Sequence, residues 1–294
     1  MKRKILLLGG SGLLGSRINQ LLRNSYSIIA PTSTELDLMN ITKTCEYIHS
    51  KEFDVLVFAA GITNQDYAEE NKEVSLCING TVPSEIARQL KKRRKRMIYF
   101  STDAVFSGEK SKVPYRESDK PSPINYYGFS KLEGEKGVLS VSDKNLVLRV
   151  NNLYSSHHEK KIDFARIVMS KLEGNKPVFG ITNQFFNPCF VDNIAYSLDK
   201  IIRKNIDGIL HLGSVDYLSN YEFTLLLCKT AGNKIKVLKM SLEEFSKDKL
   251  AKRAHYSWLD VQNATKTLGE VTLGKNESNI IKFVSGYKQG ESKS

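Results

Sequence analysis

Tyr127 and Lys131 stand four residues apart in Tyr-Gly-Phe-Ser-Lys, a spacing that puts a phenol and an ammonium on one face of a helix. A free phenol, with a pKa near 10, is a poor acid at neutral pH; a cation beside it favours the phenolate and draws that value toward the working range. Such a pair can pass a proton to a carbonyl oxygen while hydride arrives at the carbon. Alone, the spacing describes many surface helices, and its weight comes from two companions. One is Thr102-Asp103, which follows the apolar run 97–100 and offers a hydroxyl for the same oxygen.

The other companion lies at the start of the chain. Residues 5–8, Ile-Leu-Leu-Leu, run directly into Gly9-Gly10-Ser11-Gly12-Leu13-Leu14-Gly15. Glycines 9, 12 and 15 follow G-x-x-G-x-x-G, a variant of the dinucleotide fingerprint. Gly9 permits the strand-to-helix turn, Gly12 lets the backbone approach a pyrophosphate, and Gly15 lets the helix lie close on the strand. The pyrophosphate then meets the positive end of that helix, with Ser11, Leu13 and Leu14 in the same cradle. An acidic residue at the tip of the second strand would grip a ribose 2′-hydroxyl. The chain instead reads Ala30-Pro31-Thr32-Ser33, with Glu35 further on. That favours NADP, leaves NAD admissible, and makes Thr32, Ser33 and Arg17 candidates for a 2′-phosphate. Asp37 and Leu38 are placed beside the adenine, and Ala59, Ala60 and Gly61 complete the cofactor side.

These groups need a frame. Residues 4–8, 27–30, 55–59, 97–100 and 146–150 are short runs rich in Ile, Val and Leu, bounded by polar residues or Gly, the pattern of buried parallel strands. Segments 12–23, 42–51, 74–93 and 125–138 carry helical spacing; Val74, Ile78, Val82, Ile86 and Leu90 recur every four residues. The alternation predicts a Rossmann-type doubly wound parallel α/β sheet over residues 1–150. Ligands in such sheets bind beyond the carboxyl ends of the strands. After 150 the pattern loosens: helices at 164–172, 194–203, 221–231 and 242–250 and a strand at 209–212 predict a smaller mixed substrate-binding lobe, 151–289, sharing an interface with the first. The last five residues, 290–294, read as a disordered tail.

Taken in order, GGSGLLG, Thr63 with Asp66-Tyr67-Ala68-Glu69, Asn79, STDAVFSG, YYGFSKLEGE, Leu148-Arg149, NPCFVDNIA at 187–195 and Ile209-Leu210-His211-Leu212 resemble the extended short-chain dehydrogenase/reductases. Within them the chain is most similar to the dTDP-4-dehydrorhamnose reductase family, over nearly its whole length. The resemblance implies NAD(P)H-dependent reduction of a 4-keto-6-deoxy nucleotide sugar, in nucleotide-sugar biosynthesis for surface polysaccharide. It implies that Thr102, Tyr127 and Lys131 are catalytic and that Asp103 is a further active-site group. Two positions depart from the family pattern: Ala104 stands where a tyrosine facing the substrate is usual, and Ile62 where an aromatic is usual. Both point to a wider or less polar sugar pocket and a differently substituted sugar. Ala104 also stands where related dehydratases carry a glutamate base, which argues against elimination. Thr63, Ala104, Asn151, Asn152 and Arg253 are the substrate-side candidates, Arg253 for a diphosphate, with Tyr256 a weaker one. Rival readings are a non-catalytic NADP-binding regulatory subunit, similar to that of methionine adenosyltransferase, and another nucleotide-sugar reductase or epimerase of the superfamily. Retention of both Tyr127 and Lys131 favours an enzyme.

Composition removes other classes. The chain has 294 residues, 40% hydrophobic and 26% charged, with 19 Gly and 7 Pro, a globular balance. No stretch approaches the roughly 18 apolar residues of a membrane span, and the N-terminus carries no secretory pattern, so no membrane partner and a cytoplasmic location are expected. Cys45, Cys77, Cys189 and Cys228 are far apart; they read as reduced thiols, with no metal site. The net charge of +12 and the run KKRRKR at 91–96 suit an anionic partner. Yet no aromatic interleaves the run and an apolar strand follows, so it reads as a helix end whose cations meet the dipole, and no nucleic-acid partner is expected. A homodimer is compatible with this composition.

Overall fold

Strand β1 (Lys4–Leu8) shows why the centre of the molecule is a sheet covered on both faces. Ile5 and Leu7 enter one apolar core, Leu6 and Leu8 another, and none is more than 1% exposed. A strand apolar at every position has to be covered above and below. In the computed structural model, which describes residues 2–110, 113–157 and 162–291, the chain continues through α1 (Leu13–Leu22), β2 (Ser27–Ile29), α2 (Ile41–His49) and β3 (Val55–Phe58). Then come α3 (Gln65–Glu70), α4 (Lys72–Leu76), α5 (Val82–Lys92), β4 (Arg96–Thr102), α6 (Tyr126–Val141) and β5 (Leu146–Val150). The remainder holds β6 (Leu153–Tyr154), α7 (Phe164–Glu173), β7 (Val178–Ile181), β8 (Phe185–Phe186), β9 (Cys189–Phe190), α8 (Val191–Lys204) and β10 (Gly208–Leu212). It closes with β11 (Leu218–Ser219), α9 (Asn220–Thr230), β12 (Val237–Met240), α10 (Leu242–Ser246), α11 (Gln262–Leu268), α12 (Glu270–Leu273) and α13 (Asn276–Glu291).

The main sheet has the order β2-β1-β3-β4-β5-β10 and is parallel throughout. Leu8 pairs with Phe58, Phe58 with Tyr99, and Thr102 with Val150, so the glycine loop, the 59–63 segment and Thr102 emerge along one edge of the sheet. The Rossmann-type expectation is met, with one change of boundary. The sheet does not end at residue 150, because β10 pairs with β5. Helix α8 packs on α1, with Val191, Ile194 and Leu198 in the same core as Ile5 and Leu7. Without β10 the outer edge of β5 would expose an unpaired row of amides and carbonyls. The second lobe is built from three two-stranded ribbons and α7, α9 and α13 around Tyr154, Phe186, Phe223 and Phe283. Of the segment read as a tail, Gly290 and Glu291 belong to α13, and 292–294 lie outside the described residues.

The helix expected over 74–93 is interrupted. A π-helical turn, Cys77–Thr81, separates α4 from α5. A repeat of four residues is longer than the 3.6 of an α-helix, and a wide turn absorbs part of the surplus. The basic run closes α5: Lys91 and Lys92 occupy its last turn, and Arg93 donates to the carbonyls of Ile48 and Lys51 at 2.7 and 3.1 Å. No helix among the described residues is long and apolar enough to cross a membrane.

Candidate active site

A cleft of about 650 Å³ opens at the carboxyl ends of β1, β3, β4 and β5. Its floor is the glycine loop. Gly9 has φ +89°, and a Cβ there would lie 2.5 Å from the Ala60 amide nitrogen; a Cβ on Gly15 would lie 2.1 Å from the Gly9 carbonyl oxygen. Loop and helix are therefore packed backbone to backbone, which only glycine allows. Gly12 precedes α1, and among the described residues no side chain caps that helix and no carboxylate sits in its first turn. Its amides remain for an anion. These residues fit a dinucleotide pyrophosphate.

Gly9, Ser11, Gly12, Leu13 and Leu14 line the cleft, as do Thr32, Ser33, Asp37 and Leu38 on one side and Ala59, Ala60 and Gly61 on the other. Gly15 lies behind the wall as packing. Two expectations about the 2′-phosphate change. Arg17 faces away: its Nε and Nη2 donate to the two carboxylate oxygens of Asp192, each at 2.6 Å, stapling α1 to α8. Glu35 turns back on Thr32, accepting from its amide at 2.7 Å and its hydroxyl at 2.9 Å, bonds that hold its carboxyl below the ordinary range. The wall beside β2 therefore presents hydroxyls and no carboxylate of Glu35.

Tyr127, Lys131 and Thr102 converge on the same cleft, with Asp103 beside them. Asn125 caps α6 by accepting from the Gly128 amide at 2.9 Å, which starts the helix so that its first two turns carry the phenol and the ammonium inward. Lys131 is 4% exposed and donates to the Phe100 carbonyl at 2.5 Å; burial pushes its amine down to about 7, against the pull of Glu135. The expected lowering of the Tyr127 phenol is reversed. Burial pushes it up to about 12, with the Thr102 hydroxyl bond acting the other way and the Asp103 charge adding to the rise. Loss of water around a phenolate outweighs any help from the lysine, and Tyr127 stays a protonated acid. Asp103 is pushed up to about 6 by burial, opposed by bonds from Thr102 and Ser257; the Thr102 hydroxyl donates to it at 3.0 Å.

Asn79, at the π-helical turn, holds this wall together. Its amide donates to the Ile62 carbonyl at 2.9 Å and the Ser130 hydroxyl at 3.0 Å, and its oxygen accepts from the Ile62 amide at 3.0 Å. The period of four in the sequence was the available signal for that turn.

On the substrate side, Ile62, Thr63 and Asn152 line the cleft. Asn152 has φ +20°, an uncommon backbone state for a residue with a side chain. Four candidates lie elsewhere. Ala104 is buried against Gly128, where a Cβ would meet its carbonyl oxygen at 2.0 Å, so it is helix packing and not cleft wall. Asn151 is fully buried and donates to the Ser257 carbonyl at 2.5 Å. Arg253 pairs with Asp66 at 2.8 Å and donates to the Ala251 carbonyl. Tyr256 stacks on Phe185. Sequence reasoning missed the second lobe's share: Leu153, Ile162, Asp163 and Phe164 face the cleft, and short apolar stretches around a helix start gave no sign of it.

A parallel sheet with a glycine-loop cradle and a Thr, Tyr and Lys set at its carboxyl edge defines an extended short-chain dehydrogenase/reductase. The family model described as the RmlD substrate binding domain matches residues 3–286, and the chain belongs to that family. It is 30% identical over 274 residues to the probable low-salt glycan biosynthesis reductase of Haloferax volcanii, covering 89% of this chain and 91% of that one. It is 29% identical over 236 residues to the dTDP-4-dehydrorhamnose reductase of Escherichia coli, covering 77% and 78%. The crystal structure of dTDP-4-dehydrorhamnose reductase from Bacillus anthracis in complex with NADP superposes with a TM-score of 0.89 at 25% identity, covering 96% of this chain and 99% of that one.

Proposed function

We propose that this protein reduces a 4-keto-6-deoxy nucleotide sugar with NADPH, in the biosynthesis of a surface polysaccharide. The observation that carries the reading is the convergence of Tyr127, Lys131 and Thr102 on the cleft floored by the glycine loop. The RmlD relatives named as reductases, one of them solved with NADP, support it. When bound, the nicotinamide supplies the hydride. The amides of α1 would hold its pyrophosphate, and the Ser33 hydroxyl, with that of Thr32 once released from Glu35, would meet a 2′-phosphate. Lys131 would hold the nicotinamide ribose. The Thr102 hydroxyl, its one proton turning from Asp103 to the substrate, would donate to the keto oxygen of the sugar, and Tyr127, protonated because burial holds its phenol near 12, would give that oxygen its proton. Four free cysteines suit the reducing cytoplasm.

The test is NADPH oxidation followed by absorbance, with a dTDP-4-keto-6-deoxyhexose as substrate. Tyr127→Phe should lower kcat by about 10² to 10⁴ while NADPH still binds. Undiminished turnover in that variant removes the assigned acid. Tight NADPH binding by the wild type with no ketosugar consumed supports a regulatory subunit instead.

A further inference from the structure

The reaction as described makes no use of three polar residues in the motifs, namely Glu135 in YYGFSKLEGE, Arg149 on β5 and His211 on β10. The fold wires them together. Arg149 Nε and Nη2 donate to Glu135 Oε1 and Oε2 at 2.9 and 2.7 Å, and both side chains are 2% exposed. Arg149 Nη1 lies 3.3 Å from His211 Nε2, and His211 Nδ1 lies 3.1 Å from the Tyr115 carbonyl oxygen. Arginine only donates, so Nε2 accepts and Nδ1 carries the proton. Phe106 stacks on Tyr115 with ring centroids 4.3 Å apart and receives the Arg149 guanidinium on its face.

The near end of this chain grips the catalytic strand. Lys131 donates to the carbonyl of Phe100, and the hydroxyl of Ser101 donates to Glu135 at 2.5 Å. Side chains one helical turn apart on α6 thus hold consecutive residues of β4. The next residue on β4 is Thr102, and the preceding turn of α6 carries Tyr127. A buried ion pair contributes little stability beyond what apolar residues of similar size supply, so its presence here asks for another role.

We propose that Glu135, held by Arg149 and His211, is a positioning residue that sets the register of α6 on β4, so that Tyr127 and Thr102 meet at one substrate oxygen. The proposal rests on the reductase reading. Ser101→Ala removes the grip on the strand and leaves the ion pair in place. Glu135→Met combined with Arg149→Met replaces the pair by apolar chains. Both are expected to unfold cooperatively and to bind NADPH within about twofold of wild type, with the KM for ketosugar unchanged. The value of kcat should fall about 10-fold in Ser101→Ala and about 100-fold in the double variant, the cost of roughly 1 Å of misplacement. Ser101→Thr, which keeps the hydroxyl, should recover kcat. Wild-type kcat within about threefold in both Ser101→Ala and the double variant overturns the proposal, as does a Ser101→Thr enzyme as slow as Ser101→Ala. If the double variant does not fold, the two Ser101 variants decide.

A wild type that reduces no ketosugar would sink the functional reading and leave the positioning claim open to a second measurement. Acetylation of the Lys131 amine, followed by competitive labelling across pH, needs no turnover. Around this amine stand the Phe100 carbonyl it donates to, the Tyr99 ring at 4.2 Å, Glu135 on α6 and Asn79 across Gly61, with Tyr127 and Asp103 lining the same cleft. Loss of the Glu135 charge in Glu135→Gln, with Arg149 left in place, should move the Lys131 titration to lower pH. An unmoved titration overturns the proposal.

Discussion

Burial of Lys131 sets a quantity that can be measured without substrate. Its amine falls from 10.5 to about 7, chiefly because the charge has lost its water, with Glu135 pulling the other way. A fall of that size is worth roughly 5 kcal/mol, at about 1.36 kcal/mol per tenfold change in proton affinity. Between pH 7 and 10.5 the unfolded chain keeps a proton that the folded chain has released, so stability rises with pH across that window. Below it both states are protonated and the folded chain carries the whole cost of a buried cation. Integrated from about pH 6 to about pH 9, this one group adds roughly 2.7 kcal/mol to the stability of the cofactor-free protein. Lys131→Met keeps the apolar stem and removes the charge. It should be more stable than wild type by up to about 4 kcal/mol near pH 6, should lose about 2.7 kcal/mol of that advantage by pH 9, and should be inactive. Urea unfolding of both proteins at several pH values gives the difference. Asp103 and Asp163, both raised to about 6, titrate at the lower edge of this range and are present in both proteins. Parallel stability-against-pH curves for the two would refute the reasoning.

Further outcomes follow from contacts already described. Gly15→Ala places a methyl 2.1 Å from the Gly9 carbonyl oxygen; it should cost about 1–3 kcal/mol in thermal unfolding and weaken NADPH binding in a fluorescence titration, because α1 must back away from the loop. Asp103, raised from 3.8 to about 6, binds a proton in the folded chain across that window, so its contribution to stability is lost as pH rises through it. Asp103→Asn should therefore be more stable than wild type at pH 8 by up to about 3 kcal/mol and indistinguishable near pH 3, read by denaturant titration. Arg17→Ala breaks the bidentate pair with Asp192 and should cost about 3 kcal/mol while leaving the ratio of NADP to NAD affinity unchanged by calorimetry. A selective loss of NADP affinity would return Arg17 to the phosphate site.

Local signals carried the parts of the site that depend on local chemistry. The run Ile5–Leu8 into Gly9 needs only steric packing of backbone on backbone, which a glycine spacing reveals. The Tyr127 and Lys131 spacing needs only a helix, and the structure supplies one, capped by Asn125. Long-range partners were not legible. Arg17 carries no mark that Asp192, 175 positions away, will take its guanidinium, and Arg253 none that Asp66 will. The rise of the Tyr127 phenol is a burial effect, and the lining from Ile162 to Phe164 exists only once the second lobe has folded over the first. Strand β10 was found as a strand, but its pairing with β5 depends on the return of the chain after residue 190.

That return limits how such proteins exchange parts. A chimera spliced once at residue 150 would carry β10 and α8 away with the foreign half, together with Val261 and Leu268, which complete the core beneath β1. The host fragment would keep a raw β5 margin open to wrong partners. A sound graft needs junctions on both sides of the 191–215 stretch and another ahead of Val261. Stepwise replacement of single side chains around the cleft is the simpler path to a new sugar.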